Sequence, residues 1–196
     1  MDNILKLSAS ERSELFKETG ARRHIAPAIV EKDFWVCWTL KQLFSCPAIG
    51  KNIIFKGGTS LSKVFKLIER FSEDIDLILN WNLLTDENPL EIRSNSKQEK
   101  LNGLINDEAQ IYIREKLLPA VDALVHPVCT AELDKNDGHV LKILYPAAFS
   151  ENYILPYIKL ESGPLAAWQP HETYKIKSYA AGMFPELFSS PDAEVR

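Results

Sequence analysis

The segment Asn52-Ile-Ile-Phe-Lys-Gly-Gly-Thr-Ser-Leu-Ser-Lys63, followed by Arg70-Phe-Ser-Glu-Asp-Ile-Asp-Leu-Ile-Leu79, constrains the fold more than any other part of the chain. Ile53, Ile54 and Phe55 are β-branched or aromatic, which favours a short buried strand. Gly57 and Gly58 allow a sharp turn and close approach of a ligand to the backbone. Thr59 or Ser60 is then placed to cap a helix, whose apolar stripe is Leu61, Val64, Phe65 and Ile68. A second strand follows. Its alternation puts Asp74 and Asp76 on one face and Ile75, Leu77 and Leu79 on the other.

This order carries chemistry. A helix start offers unpaired N–H groups and a partial positive charge, which suit a triphosphate. Gly57, Gly58, Thr59, Ser60 and Lys63 are therefore the candidate phosphate-binding residues. Two neighbouring carboxylates repel unless a cation sits between them, and Mg²⁺ prefers oxygen ligands. Asp74 and Asp76 are the candidate metal ligands, and Glu161 in Tyr157-Ile-Lys-Leu-Glu161 is the candidate third acid. Lys159 shares its strand face. Three residues are accessory candidates: Lys159, Arg70 and Ser72. Arg70 would pair with the acids or with phosphate, or form a structural salt bridge. Ser72 shares the aspartate face if the strand begins that early. The layout is that of an enzyme moving a nucleotide from an NTP to an acceptor. Each piece alone has a plainer reading: a double glycine before a helix is common, D-x-D also occurs in calcium loops and sugar-nucleotide transferases, and a strand glutamate often faces water. No G-x-x-x-x-G-K-[ST] occurs, which disfavours a P-loop ATPase.

At these residues the chain resembles the AbiEii/AbiGii nucleotidyltransferase toxins of type IV toxin–antitoxin systems. The likeness rests on Gly57-Gly-Thr-Ser-Leu-Ser-Lys63 with Arg70-Phe-Ser-Glu-Asp-Ile-Asp-Leu77. It extends to Glu31-Lys-Asp-Phe-Trp35, to Arg93-Ser-Asn-Ser-Lys-Gln-Glu-Lys-Leu101 and to Tyr157-Ile-Lys-Leu-Glu-Ser-Gly163. The resemblance implies an α+β fold: a polymerase-β-like nucleotidyltransferase core, with a mixed or antiparallel sheet flanked by helices. It implies Mg²⁺ as cofactor, an NTP as substrate and NMP transfer to an acceptor such as a tRNA 3′ end. It also implies arrest of growth or of phage propagation, and an antitoxin encoded nearby that acts without a tight complex. Family members continue into a C-terminal helical region carrying a catalytic lysine, and nothing in 182–196 resembles it. The expected organisation is N-terminal helices over 1–50, a nucleotidyltransferase core over 51–181 and a tail over 182–196 that is truncated relative to the family. The alternative to an active toxin is a catalytically incomplete remnant that serves as a nucleotide-binding or regulatory module.

Composition is that of a soluble globular chain of 196 residues, 45% apolar and 26% charged. A net charge of −4 provides no global basic field, so RNA contact needs a local patch. Lys56, Lys63, Lys66 and Arg70 form one such patch; Arg93, Lys97 and Lys100 form another, with a solvated loop the preferred reading of the second. Cys37, Cys46 and Cys129 have no C-x-x-C spacing, which fits a reducing cytoplasm rather than a disulfide or zinc framework. No signal peptide opens the chain and no apolar run is long enough for a bilayer, so a cytoplasmic protein is expected.

The remaining pattern is scaffold. Ser8-Ala-Ser-Glu11 reads as a capping box opening a helix to about Thr19. Pro27 opens a second helix with Val30, Phe34, Cys37, Trp38 and Leu43 or Phe44 on its stripe. Glu31, Lys32 and Asp33 fall off that stripe, as a solvated face or as part of an active-site rim. Thr85 to Lys100 reads as a loop leading into a helix over Leu101 to Tyr112, which Pro119 must kink or restart. Val140 to Ala147 and Tyr153 to Gly163 read as an antiparallel pair that brings Glu161 toward the aspartates. Thr173 to Ala181 reads as a further strand.

Overall fold

Alternation of apolar and polar residues builds a mixed sheet at the centre of the molecule. The computed structural model describes residues 1–68, 71–149, 154–166, 168 and 171–196. Five strands run in the order β1-β2-β5-β4-β3. They are β1 (Ile53–Lys56), β2 (Ile75–Leu79), β3 (Thr130–Leu133), β4 (Val140–Leu144) and β5 (Tyr157–Gly163). β2 and β5 are parallel, and the other pairs are antiparallel. β5 alternates as its sequence requires: Ile158, Leu160 and Ser162 are buried while Lys159 and Glu161 are half-buried on the opposite face. The α+β class expected from the sequence is the one observed. So is the β4–β5 pairing, although the strand begins at Tyr157 and residues 150–153 lie outside the described ones.

Helices α1 (Ala9–Arg23), α2 (Pro27–Ser45), α3 (Pro47–Gly50), α4 (Gly57–Lys63), α5 (Asn95–Tyr112), α6 (Leu118–Val125) and α7 (Tyr179–Met183) complete the fold. The capping box is present: the Ser8 hydroxyl accepts from the Glu11 N–H, and the Ser8 N–H donates to the Glu11 carboxylate. The helix runs a turn further than expected and stops at His24 in a left-handed conformation. A π-helical turn over Ile113–Leu117 joins α5 to α6, and Pro119 sits in the first turn of α6.

Three expectations are corrected. First, α2 is buried on nearly every side, because the sheet, α1, α6 and the C-terminal strand all pack around it. Glu31, Lys32 and Asp33 are therefore interior residues, 2%, 2% and 0% exposed. Second, α4 begins at Gly57 itself with Lys56 as its N-cap, so neither Thr59 nor Ser60 caps it. It ends at Lys63, and of the expected stripe Val64 packs against the core while Leu61 and Phe65 are exposed. Third, 182–196 is no appendage. Thr173 to Ala181 divides into β6 (Tyr174–Lys177) and α7, and β7 (Asp192–Val195) pairs antiparallel with β6. Ala193 and Val195 are buried in the same core as Phe16, Trp35, Leu77 and Leu160. The Met1 ammonium donates to Ser190 O at 2.6 Å, and the Phe55 N–H donates to Arg196 O at 2.6 Å, on the edge of β1.

Candidate active site

Lys56, Asp76 and Glu161 form one row across three strands. Lys56 and Asp76 are Cα partners between β1 and β2, and Asp76 and Glu161 are partners between β2 and β5. Cross-strand partners share a sheet face. Asp74 immediately precedes β2 and lies two residues before Asp76, so the three acids stand along one end of the parallel pair. Ser72 lies ahead of the strand, and the conditional placement of its hydroxyl on the strand face is not met. It lines a cavity of about 340 Å³ with Asp74, Lys159 and Lys32. Asp76 and Glu161 line a neighbouring cavity of about 290 Å³ with Lys56, Asn106 and His139.

The double glycine is pressed against this row. Gly57 has φ +76°, a left-handed conformation, and a Cβ there would stand 1.8 Å from Asp76 Oδ2. The Gly58 N–H is among the groups that favour the ionised form of Asp76. Turn and acid are thus one structural unit. The Thr59 hydroxyl is a tie: it donates to Asp74 O at 2.5 Å. A hydroxyl has one proton, so none remains for a phosphate oxygen. Ser60 is also redirected, into a cavity of about 280 Å³ lined by Phe55, Phe65, Tyr174 and Arg196.

Lys63 is corrected as well. Its ammonium forms a buried ion pair with Asp33, donates to Lys177 O at 3.3 Å and lies 3.9 Å over the Tyr179 ring. Burial opposes its charge, yet Asp33 and the surrounding groups outweigh this and hold its pKa up. It belongs to the wall of a separate cavity of about 700 Å³, which also gathers Arg23, Lys66, Lys175 and Lys177 around Asp192. Arg70 lies outside the described residues. Arg93 is a loop clasp: its guanidinium donates to Asn88 O and Gln98 Oε1.

The electrostatics report crowding of like charge. Burial raises the Asp76 pKa above the ordinary aspartate range and Asp74 adds to it, while Lys56 and the Gly58 N–H act in opposition. Burial likewise raises Glu161, followed by Asp74 and Asp76, with Lys159 opposing. Among the described residues no three His, Cys, Asp or Glu side chains converge tightly enough to hold an ion as they stand. In chemistry the set fits a hard divalent cation, because all three donors are carboxylates and neighbouring acids raise the pKa of Asp76 and Glu161. The sequence singles out neither Asn106 nor His139 for this site, and offers Lys32 only within a segment read as a solvated face or an active-site rim. Lys56 carried a signal, since it precedes the glycines in a strand whose alternation puts it beside the acids.

With that geometry in place, a protein-family model decides the relationship. The model for "Nucleotidyl transferase AbiEii toxin, Type IV TA system" matches residues 38–196. The chain belongs to this family. AbiEii proteins are nucleotidyltransferases and the toxin half of a type IV toxin–antitoxin system. The match begins at Trp38 and takes in the glycine turn, all three acids and β7. No curated protein matches the chain. Among the described residues no helix is long and apolar enough to cross a membrane.

Proposed function

We propose that this AbiEii protein transfers an NMP from an NTP to an RNA acceptor in a Mg²⁺-dependent reaction at Asp74, Asp76 and Glu161. The observation that supports this most is the contact between the left-handed Gly57 turn and the Asp76 carboxylate, with Glu161 opposite on the parallel strand. It sets an anion-receiving backbone beside a carboxylate row.

Asp74, Asp76 and Glu161 would hold Mg²⁺. When bound, the cation offsets phosphate charge and favours ionisation of an attacking hydroxyl. The chain's own residues do the rest. The backbone N–H of Gly57 receives the triphosphate, the Gly58 N–H stays with the Asp76 carboxylate, and Lys56 adds a positive charge beside Asp76. The narrow turn at Gly57 excludes side-chain atoms from that approach. Lys159, on the Glu161 face of β5, steadies phosphate charge at the Asp74 end. The acceptor hydroxyl attacks the α-phosphorus in line, the new O–P bond forms, and the bond to the pyrophosphate oxygen breaks. The hydroxyl proton leaves to Glu161, directly or through a water, as a half-buried carboxylate on this strand face allows.

An RNA acceptor, tRNA included, is supported by the basic cavity at the far end of α4, where Arg23, Lys66, Lys175 and Lys177 offer phosphate contacts that the net charge of the chain does not. The test is calorimetry of NTP with and without Mg²⁺, followed by pyrophosphate release on total RNA. Mg²⁺-dependent binding with pyrophosphate release on RNA is expected. Binding with no release on any RNA points instead to a nucleotide-binding module, and no binding contradicts the site.

A further inference from the structure

Three consecutive charged residues lie inside α2, and each goes to a different part of the chain. Successive residues turn about 100° around a helix, so Glu31, Lys32 and Asp33 address three directions. Glu31 accepts from the Ala148 and Phe149 N–H groups at 2.8 and 3.2 Å. Asp33 takes Lys63 and the Tyr179 N–H at the start of α7. Lys32 donates to Glu73 Oε2 at 2.5 Å and to Leu155 O at 3.1 Å.

The partners of Lys32 are what distinguish it. Glu73 adjoins Asp74, and Leu155 lies just ahead of β5, the strand of Glu161. One ammonium, 2% exposed, therefore joins the two segments that enter the parallel pair bearing the acids. The pair is only half-buried, since the Glu73 side chain is 37% exposed, and solvent screening there leaves it a weak source of stability. Lysine here calls for another reason. Residue 32 also lies ahead of the family-matched region, which begins at Trp38.

We propose that Lys32 is a positioning residue for the carboxylate site. By holding Glu73 and the Leu155 carbonyl together it fixes the spacing of Asp74 and Glu161 against their mutual repulsion, so that a divalent cation meets a preset pair of strands. This rests on the carboxylate-site reading above and adds to it a residue that touches neither phosphate nor cation.

The test uses Mn²⁺ as probe, with unbound ion counted by electron paramagnetic resonance on the full chain. Lys32→Met should keep the circular dichroism and melting temperature of the wild type and weaken Mn²⁺ binding about 10-fold or more, the usual size of an outer-sphere effect. Lys32→Arg should restore most of the affinity. If Lys32→Met does not fold, the double variant Lys32→Met with Glu73→Leu removes both partners and strands no charge, and the same loss is expected. Wild-type Mn²⁺ affinity in a folded Lys32→Met or double variant overturns the positioning role alone. A wild type that binds no Mn²⁺ overturns the carboxylate site, and this role with it.

Discussion

The Asp76 carboxylate fills the space where a side chain on Gly57 would begin: a methyl group there would stand 1.8 Å from Oδ2. The glycine is needed for that contact and for its φ of +76°. Gly57→Ala should cost more than the roughly 1–2 kcal/mol of a left-handed alanine, because the carboxylate must also move. A melting temperature lower by about 3 °C or more is expected, together with weaker divalent-cation binding. Gly103 is the contrast. It lies exposed within α5 with nothing near its would-be Cβ, so Gly103→Ala should raise the melting temperature by about 2 °C and leave cation binding alone.

Asp76→Asn should separate stability from function. Burial and the Asp74 charge both disfavour the Asp76 carboxylate. A neutral amide of similar shape removes that penalty, so the metal-free melting temperature should rise by about 1–4 °C. Mg²⁺ should stabilise the wild type and have little effect on the variant. Thermal melts with and without Mg²⁺ measure both effects.

The same raised acids set a pH dependence. Asp76 and Glu161 hold their protons to higher pH in the folded chain than in the unfolded one. Without metal they cost nothing below the unfolded pKa, and they lower stability as pH rises through the folded value. The stability gained by Asp76→Asn should therefore grow from the ordinary carboxylate range toward neutrality and then level off. Cation binding needs the ionised forms, so it should weaken on acidification at a pH above that of an ordinary carboxylate site. Melts of both proteins across pH, with and without Mn²⁺, resolve the two trends.

Asp33 and Lys63 are paired in the interior, with side chains 0% and 8% exposed. Asp33→Ala strands the ammonium and removes the acceptor of the Tyr179 N–H. A loss of about 3–5 kcal/mol is expected in urea denaturation. Replacing both partners, Asp33→Leu with Lys63→Met, should recover a large part of it.

Local period makes the acid-bearing strands legible. Alternation in Ile75 to Leu79 and Tyr157 to Gly163 fixes which residues face together, and the parallel β2–β5 pairing, with β4 on the far side of β5, sets Glu161 beside Asp76. The glycine turn was legible because few residues tolerate its backbone. Partners distant in sequence were not. Asp33 meets Tyr179, 146 positions away, and Lys32 meets Leu155, 123 away. Read on a helical wheel, such residues look solvated, because nothing local shows that a helix is surrounded. The uses of the Lys63 ammonium and the Thr59 hydroxyl are hidden for the same reason: they go to Asp33 and to Asp74 O, neither of which local spacing reveals. β7 escaped notice because its partners, β6 and the Phe55 edge of β1, define it.

Transfer of label from an α-labelled NTP to RNA, comparing the wild type with Asp74→Ala plus Asp76→Ala, addresses the carboxylate row most directly. The wild type should label RNA only with Mg²⁺, and the folded double variant should leave it unlabelled. Equal labelling by the two proteins would place the chemistry elsewhere in the molecule.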